Sequence, residues 1–209
     1  MGVSNCTICR RQGAKLFLKG DRCFSPHCAM IERPYAPGAR GKRRSRALSE
    51  YGKELREKQK LKNWYGLSEK QMKNYVKQTL AQRGKIENAP EFLIKKLESR
   101  LDNVIYRLGI ASSRAQARQM VTHGHFTVNN KKVNIPSYLV KKGEEIGIKI
   151  PSQKKTMFQG LQVKLRKYPQ PSWLVMDAEK LEAKVIGMPS VEESAPPVEI
   201  STIFEFYSR

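Results

Sequence analysis

The chain has 209 residues, 40 of them Lys or Arg and 19 Asp or Glu, which leaves a formal charge of +21. The length suits one or two domains, and 39% apolar with 8% aromatic residues is too much for a wholly disordered chain. A pI near 10.0 asks for a polyanionic partner, nucleic acid or an anionic membrane surface, while no run reaches the ~18 apolar residues that cross a bilayer.

The first 30 residues hold four cysteines and no apolar run, so the chain is expected in the cytosol, without a secretory signal and with its thiols reduced. Residues 1–41 show no sustained period and are punctuated by Gly, Pro and Cys. A basic run follows: Arg40, Lys42, Arg43, Arg44 and Arg46. Leu48, Tyr51 and Leu55 mark one face of a helix that Gly66 ends. Ser68 and Gln71 form a capping box that opens a second helix, with Met72, Tyr75, Val76 and Leu80 as its stripe and Gly84 past its end. Pro90 sits in the first turn of a third, whose apolar side (Leu93, Leu97, Leu101, Val104, Ile105, Leu108) runs to Gly109. A fourth helix follows Ser112 or Ser113 and carries Arg114, Arg118 and Val121 to Gly124. The period then becomes two. Phe126 and Val128 lead to an Asn129-Asn130 turn, then Val133 and Ile135, and later Ile146, Ile148 and Ile150. Leu161, Val163 and Leu165 with Trp173, Leu174 and Val175 read as a further strand pair, 177–186 as a short helix, and Ile200–Tyr207 as an apolar tail that docks on another element. The fold class is α+β.

Charge is not spread evenly along this order. Residues 1–50 hold eleven bases and three acids, 51–100 thirteen and six, 101–150 eight and three, but 151–209 eight and seven. The anion-facing surface belongs to the first three quarters, across segments of different structure, which favours a broad footprint over a basic tail. A membrane-surface role lacks the basic helix with a bulky apolar face that it requires.

Cys6, Cys9, Cys23 and Cys28 are spaced C-x2-C, thirteen residues, C-x4-C. Two close pairs joined by a loop can close on one tetrahedral ion, so a structural zinc is expected, with an iron–sulfur cluster as the alternative on the same four thiolates. So polar a segment buries little apolar surface, and the metal would supply its folding energy. Arg10, Arg11, Lys15, Lys19 and Arg22 surround the ligands and would be arrayed toward phosphate. His123 and His125 form an H-x-H pair that alternation places on one exposed face, with no third ligand near. Gly38 and Gly41-Lys42 lack the spacing and preceding strand of a phosphate loop. Asp102, between Arg100 and Arg107, is expected in a local ion pair. No nucleophile–base arrangement is present, so no catalytic centre and no small-molecule substrate are expected. Arg114 and Arg118, four apart on one helix face, lie just before the basic turn carrying Lys131 and Lys132. Such a pair suits structured RNA, which is read largely by shape and backbone.

These residues meet a family. The stretch SRAQARQMVTHGHFTVNNKKV (113–133) resembles the small RNA-binding module named after ribosomal protein S-four, a module shared with pseudouridine synthases and tyrosyl-tRNA synthetases. Residues 9–23, 47–75, 97–111, 133–138 and the terminal FEFYSR (204–209) resemble the ribosomal S-four family itself, over nearly the whole chain. Within that likeness Asn130 stands where Gly is commoner and Gln116 where Glu is usual. The resemblance implies a primary binder of small-subunit ribosomal RNA. Such a protein nucleates assembly at a multi-helix junction, neighbours ribosomal protein S-five, and affects decoding accuracy beside the path by which messenger RNA enters. It implies RNA contacts at Arg40–Arg46, Tyr51, Arg56, Arg114 and Arg118; Arg10, Arg11, Arg22, Lys58, Arg83, Lys131 and Lys132 complete the expected RNA-facing set. The implied organisation is a zinc segment with its basic loop (1–45), a helical domain (46–96) and an inserted module of helices on a small, largely antiparallel sheet (97–177). A final segment (178–209) returns to the helical domain. The alternatives are an RNA-modifying enzyme, for which no catalytic block remains, and a zinc-finger nucleic-acid regulator, which lacks a following recognition helix.

Overall fold

Ser49, Ser68, Ser113 and Ser190 each accept a backbone N–H three residues on, and a helix begins after each of them. This capping satisfies donors that a helix start otherwise leaves bare. The computed structural model describes residues 4–38, 47–82 and 88–208. The chain divides into two compact units, Met1–Leu93 with Pro196–Arg209, and Ile94–Ala195. Among the described residues no helix is long and apolar enough to cross a membrane.

The first unit begins with α1 (Asn5–Gln12) and the single turn α2 (Ala29–Glu32), so the cysteine segment is partly helical where no period was legible. Helix α3 (Glu50–Trp64) follows, then α4 (Glu69–Leu80), whose capping box has both halves in place. The buried face of α3 is Glu54, Lys58, Leu61 and Trp64, whereas Leu48 and Tyr51, the expected stripe, are exposed. A charged side chain can take the inner position because Lys58 Nζ sits 2.6 Å from Glu69 Oε1 and 4.4 Å from the centroid of the Phe206 ring, so its charge is paired as it leaves water. On α4, Met72 and Val76 are buried as the stripe predicts, Tyr75 and Leu80 are half-buried, and Thr79, outside the stripe, is buried as well. The unit boundary falls inside α5 (Ala89–Glu98).

In the second unit the apolar side of α5 does not run on to Gly109. The helix stops, Ser99 and Arg100 leave helical geometry, and α6 (Leu101–Arg107) starts afresh. At the break the N–H groups of Leu101 and Asp102 donate to the carbonyls of Tyr138 and Pro136, and Ser99 receives Val140 N–H, so pairing with residues 136–140 replaces a turn of helix. After α7 (Arg114–Thr122) come β1 (Phe126–Val128), β2 (Lys131–Val133) and β3 (Glu145–Ile148). The short α8 (Ile150–Gln153) takes Ile150 out of the strand, since Pro151 cannot donate to a ladder. Leu161–Lys167 is a helix, α9, and not a strand: Leu161 and Leu165 are buried but Val163 is exposed, and positions four apart share a face under either period. Strands β4 (Leu174–Asp177) and β5 (Glu182–Val185) follow, the latter replacing the expected helix. There Asp177 Oδ1 accepts the N–H groups of Glu179 and Lys180 to make a turn, and Ala183 and Val185 alternate inward. The sheet has the order β2-β1-β3-β5-β4, antiparallel at every pairing, with Phe126, Val128, Ile146 and Ile148 in a core shared with Leu101, Val104, Ile105, Ala117 and Val121. Because β5 and the turn α10 (Val191–Ser194) stay with this unit, the chain returns to the first unit only at Pro196, later than position 178. The tail is a helix, α11 (Ile200–Ser208), laid on α3 and α4 with Ile200, Ile203 and Phe204 buried, each side chain contributing about 1.5–3 kcal/mol.

Candidate nucleic-acid interface and four-cysteine cavity

Arg114 and Arg118 lie one turn apart on α7, and α6 presents an acceptor to each. Arg118 Nε and a terminal nitrogen donate to Asp102 Oδ2 at 3.0 and 2.9 Å. Arg114 Nε donates to Asn103 Oδ1 at 2.8 Å, and its guanidinium lies 4.5 Å from the centroid of the Tyr106 ring. The Asn103 amide is itself oriented, since its Nδ2 donates to Glu98 Oε2 at 2.6 Å. Asp102 also takes a two-pronged pair from the buried Arg100, at 3.0 and 2.8 Å. Sequence proximity paired Asp102 with Arg100 and Arg107. The fold instead sends Arg107 to Glu98, at 2.8 and 2.9 Å, and brings Arg118 to Asp102 from sixteen residues away. Glu98, Asp102 and Asn103 were not singled out as site residues. The only signal for them is polar side chains interrupting an apolar stripe. Arg118 remains 33% exposed, so a planar cation is held in one orientation and still reachable by a phosphate.

The adjoining hairpin turns on Asn129 (φ 47°) and Asn130 (φ 62°), two left-handed residues as a two-residue loop requires. Asn at 130 supplies the conformation for which Gly is commoner. Asn129 also exchanges bonds with Glu145, its N–H donating at 2.8 Å and its Oδ1 accepting at 2.9 Å, which fixes the turn to β3. Lys131 and Lys132 project from it, exposed. Gln116 folds back, its Oε1 accepting the N–H and hydroxyl of Ser112. The two histidine rings lie against each other, 6.0 Å between centroids, but only one of them is exposed. His123 is exposed beyond the end of α7, whereas His125 is buried, its Nδ1 3.0 Å from Ser152 Oγ and its ring edge-on to Phe158. Burial, and then Lys155, His123 and Lys149 nearby, hold His125 below the usual imidazole value.

In the first unit the expected contacts have varied surroundings. Arg11 and Arg22 are exposed. Arg10 Nε donates to Tyr35 O at 2.9 Å with its guanidinium 5.1 Å from the centroid of that ring. Arg56 donates twice to Gln12 O, at 3.2 and 2.7 Å, closing the end of α1. Gly13 (φ 62°) leaves the space, since a Cβ there would stand 2.7 Å from the Arg56 guanidinium. Tyr51 is exposed on one side and rests on Phe206 on the other, 5.5 Å between centroids. Lys58 is 5% exposed, so it holds α3 against Glu69 and does not face outward. Arg40, Lys42, Arg43, Arg44, Arg46, Arg83 and Gly84 lie outside the described residues.

Cys6, Cys9, Cys23 and Cys28 line a single cavity of about 10 Å³, room for one small sphere. The first pair stands at i, i+3 on α1, Cys23 ends a short 3-10 turn and Cys28 precedes α2. Leu16 N–H donates to the Cys9 sulfur, and Lys19 N–H to Cys23 Sγ at 3.3 Å. Burial pushes the Cys9 thiol up, the Leu16 N–H opposes it, and the other three cysteines add to the rise. As the side chains stand, no group of three or more His, Cys, Asp and Glu among the described residues is placed to hold a metal ion.

Two family models match. One described as ribosomal protein S4/S9 N-terminal domain covers residues 3–98, and one described as S4 domain covers 99–146, meeting at the Ser99–Arg100 break. Among curated relatives, the small ribosomal subunit protein uS4 of Caldicellulosiruptor bescii is 50% identical over 205 residues, spanning 98% of this chain and 97% of the relative. Protein uS4A of Alkaliphilus metalliredigens is 49% identical over 204 residues, with 98% and 96% spanned. Protein uS4 of Thermus thermophilus is 46% identical over 205 residues, again with 98% and 96% spanned.

Proposed function

The chain belongs to the uS4 family of small ribosomal subunit proteins, and from that premise we propose that it binds small-subunit ribosomal RNA as the first layer of assembly at a multi-helix junction. Its role is structural and not enzymatic, on the cytoplasmic ribosome, among other proteins of the small subunit. The observation that carries the RNA reading is the arginine pair on α7, fixed by Asp102 and Asn103, with the exposed Lys131 and Lys132 following in the chain on the next hairpin. Cations held in place lose little entropy when phosphate replaces water around them, and each phosphate neutralised releases counterions. RNA shape then supplies the specificity. Neighbours in this reading include ribosomal protein S-five and messenger RNA near its path into the subunit, with an effect on decoding accuracy. An RNA-modifying enzyme and a zinc-finger regulator are not favoured.

The four cysteines are proposed to hold one structural zinc, with an iron–sulfur cluster the less favoured occupant. Three features support it: the sequence spacing, the shared cavity of single-ion size, and the backbone N–H donors on two of the sulfurs. Binding would draw the sulfurs inward and release their protons.

Footprinting on full-length small-subunit ribosomal RNA, with excess tRNA in moderately high salt, tests the reading. The expected result is compact protection around one multi-helix junction, with affinity falling roughly 10³–10⁵-fold between 50 and 200 mM salt for about six to ten phosphate contacts. Diffuse protection abolished by tRNA would sink it.

A further inference from the structure

Phe17 and Phe24 lie on the loop between the two cysteine pairs and stack on one another, ring centroids 5.0 Å apart and planes 27° from parallel. The stack is held at the surface: Phe24 is 73% exposed. Phe17 adopts a φ of 54°, left-handed backbone that a bulky L-residue rarely takes. Both rings hang from the cysteine cavity. Leu16, fully buried, precedes Phe17 and donates its N–H to Cys9, while the buried Cys23 precedes Phe24 and accepts from Lys19. Packing does not account for a strained backbone that props one aromatic ring in water on a half-buried second. The electrostatics point one way: Lys15 Nζ lies 5.4 Å from the centroid of the Phe17 ring, and residues 4–38 hold six Lys and Arg against two acids.

We infer that Phe17 and Phe24 form a stacking platform for one unpaired nucleobase of an RNA, with the neighbouring cations on the flanking phosphates. The inference rests on the RNA-binding reading above and gives it a second kind of contact. Aromatic faces flanked by cations hold unstacked bases without regard to sequence, and the splayed bases of loops and bulges are where RNA offers them. A protein partner with an apolar knob is the competing occupant, and the net positive surroundings favour the polyanion.

The test uses the full-length protein and small-subunit ribosomal RNA transcribed in vitro, titrated at several salt concentrations. Phe24→Ala and Phe24→Leu are each expected to weaken binding about ten-fold or more, with the slope of log K against log salt unchanged because no cation is lost. Phe24→Trp retains the affinity, and its indole is quenched and shielded from iodide as RNA saturates it. Trp64 and Trp173 are buried and contribute a constant background. An exposed position leaves the core intact, which circular dichroism checks. Wild-type affinity in Phe24→Ala overturns the platform, and so does wild-type affinity in Phe24→Leu, which would make the contact merely apolar. A reduced salt slope in Phe24→Ala also overturns it. If the wild-type protein does not bind above tRNA competition, the RNA-binding reading itself falls and takes the platform with it.

Discussion

Asp102 is buried between two guanidiniums of different exposure, Arg100 at 1% and Arg118 with a third of its side chain in water. Replacing either partner therefore has different consequences. Asp102→Ala takes the carboxylate from beside a buried cation and is expected to lower stability by about 3–5 kcal/mol. Arg118→Ala leaves the buried Arg100–Asp102 pair in place, costs about 1 kcal/mol or less, and weakens ribosomal RNA binding while lowering its salt slope. Urea unfolding and RNA titration separate the two; equal stability losses would remove Asp102 from its positioning role. The sequence disclosed that Arg114 and Arg118 share a helix face, because spacing along one element is local. It did not disclose Asn103 or Asp102 as their holders, because that contact depends on how two helices meet after a break at Ser99–Arg100 that no Gly or Pro announces. Lys58 shows the same limit from the other side: a lysine was read as outward-facing, and two aromatics and a glutamate from later in the chain made it an inner residue.

Among whole elements, those with a chemical stop or start were legible, and so were β1, β2 and β3 around their Asn turn, whereas the stretch after Ile150 was not. The capping box of α4 and the serine before α7 gave helix starts directly, whereas the Ser49 cap of α3 went unread. Over 161–186 the pattern misled in both directions, since Leu161 and Leu165 fit either period and an Asx turn at Asp177 broke a run of good helix formers. The short α8 is a different case, held to the sheet partly through the buried pair His125 and Ser152. His125 is depressed below its ordinary value of 6.5 in the folded protein, with Lys149, Lys155 and His123 facing it. Its unfolded form therefore gains a proton first as the pH falls. The stability it contributes is held in full above about 6.5 and lost as the pH drops through the folded-state value. The urea midpoint is expected to fall more between pH 7.5 and 5.5 in the wild-type protein than in His125→Gln, which retains the other two histidines. An equal fall would show that the imidazole is not the group responsible.

At the level of the whole molecule, the α+β class, the excess of base and an apolar tail that must dock could be read from composition and period, whereas the return of that tail toward the helical unit came only from the family resemblance. The place of return could not, because β5 pairs with β3 and keeps residues up to Ala195 in the second unit. The two units also rest on different supports. The second has a continuous apolar core, whereas the proposed zinc would hold together the start of the first. Emission spectroscopy is expected to find one zinc per chain, and a strong chelator to lower the melting of the first unit while leaving that of the second in place. A melting curve indifferent to the chelator would remove the metal from the structure's support. The helix α11 carries a last consequence. It covers α3, yet it follows the entire second unit in the chain. During synthesis the second unit has all its residues before the first does, so α3 must emerge with its inner face bare and wait. A shortened message or a proteolytic cut that ends the chain after Ala195 but before Ile200 would yield a finished module tethered to a helix pair with no cover, a species prone to capture by chaperones and proteases.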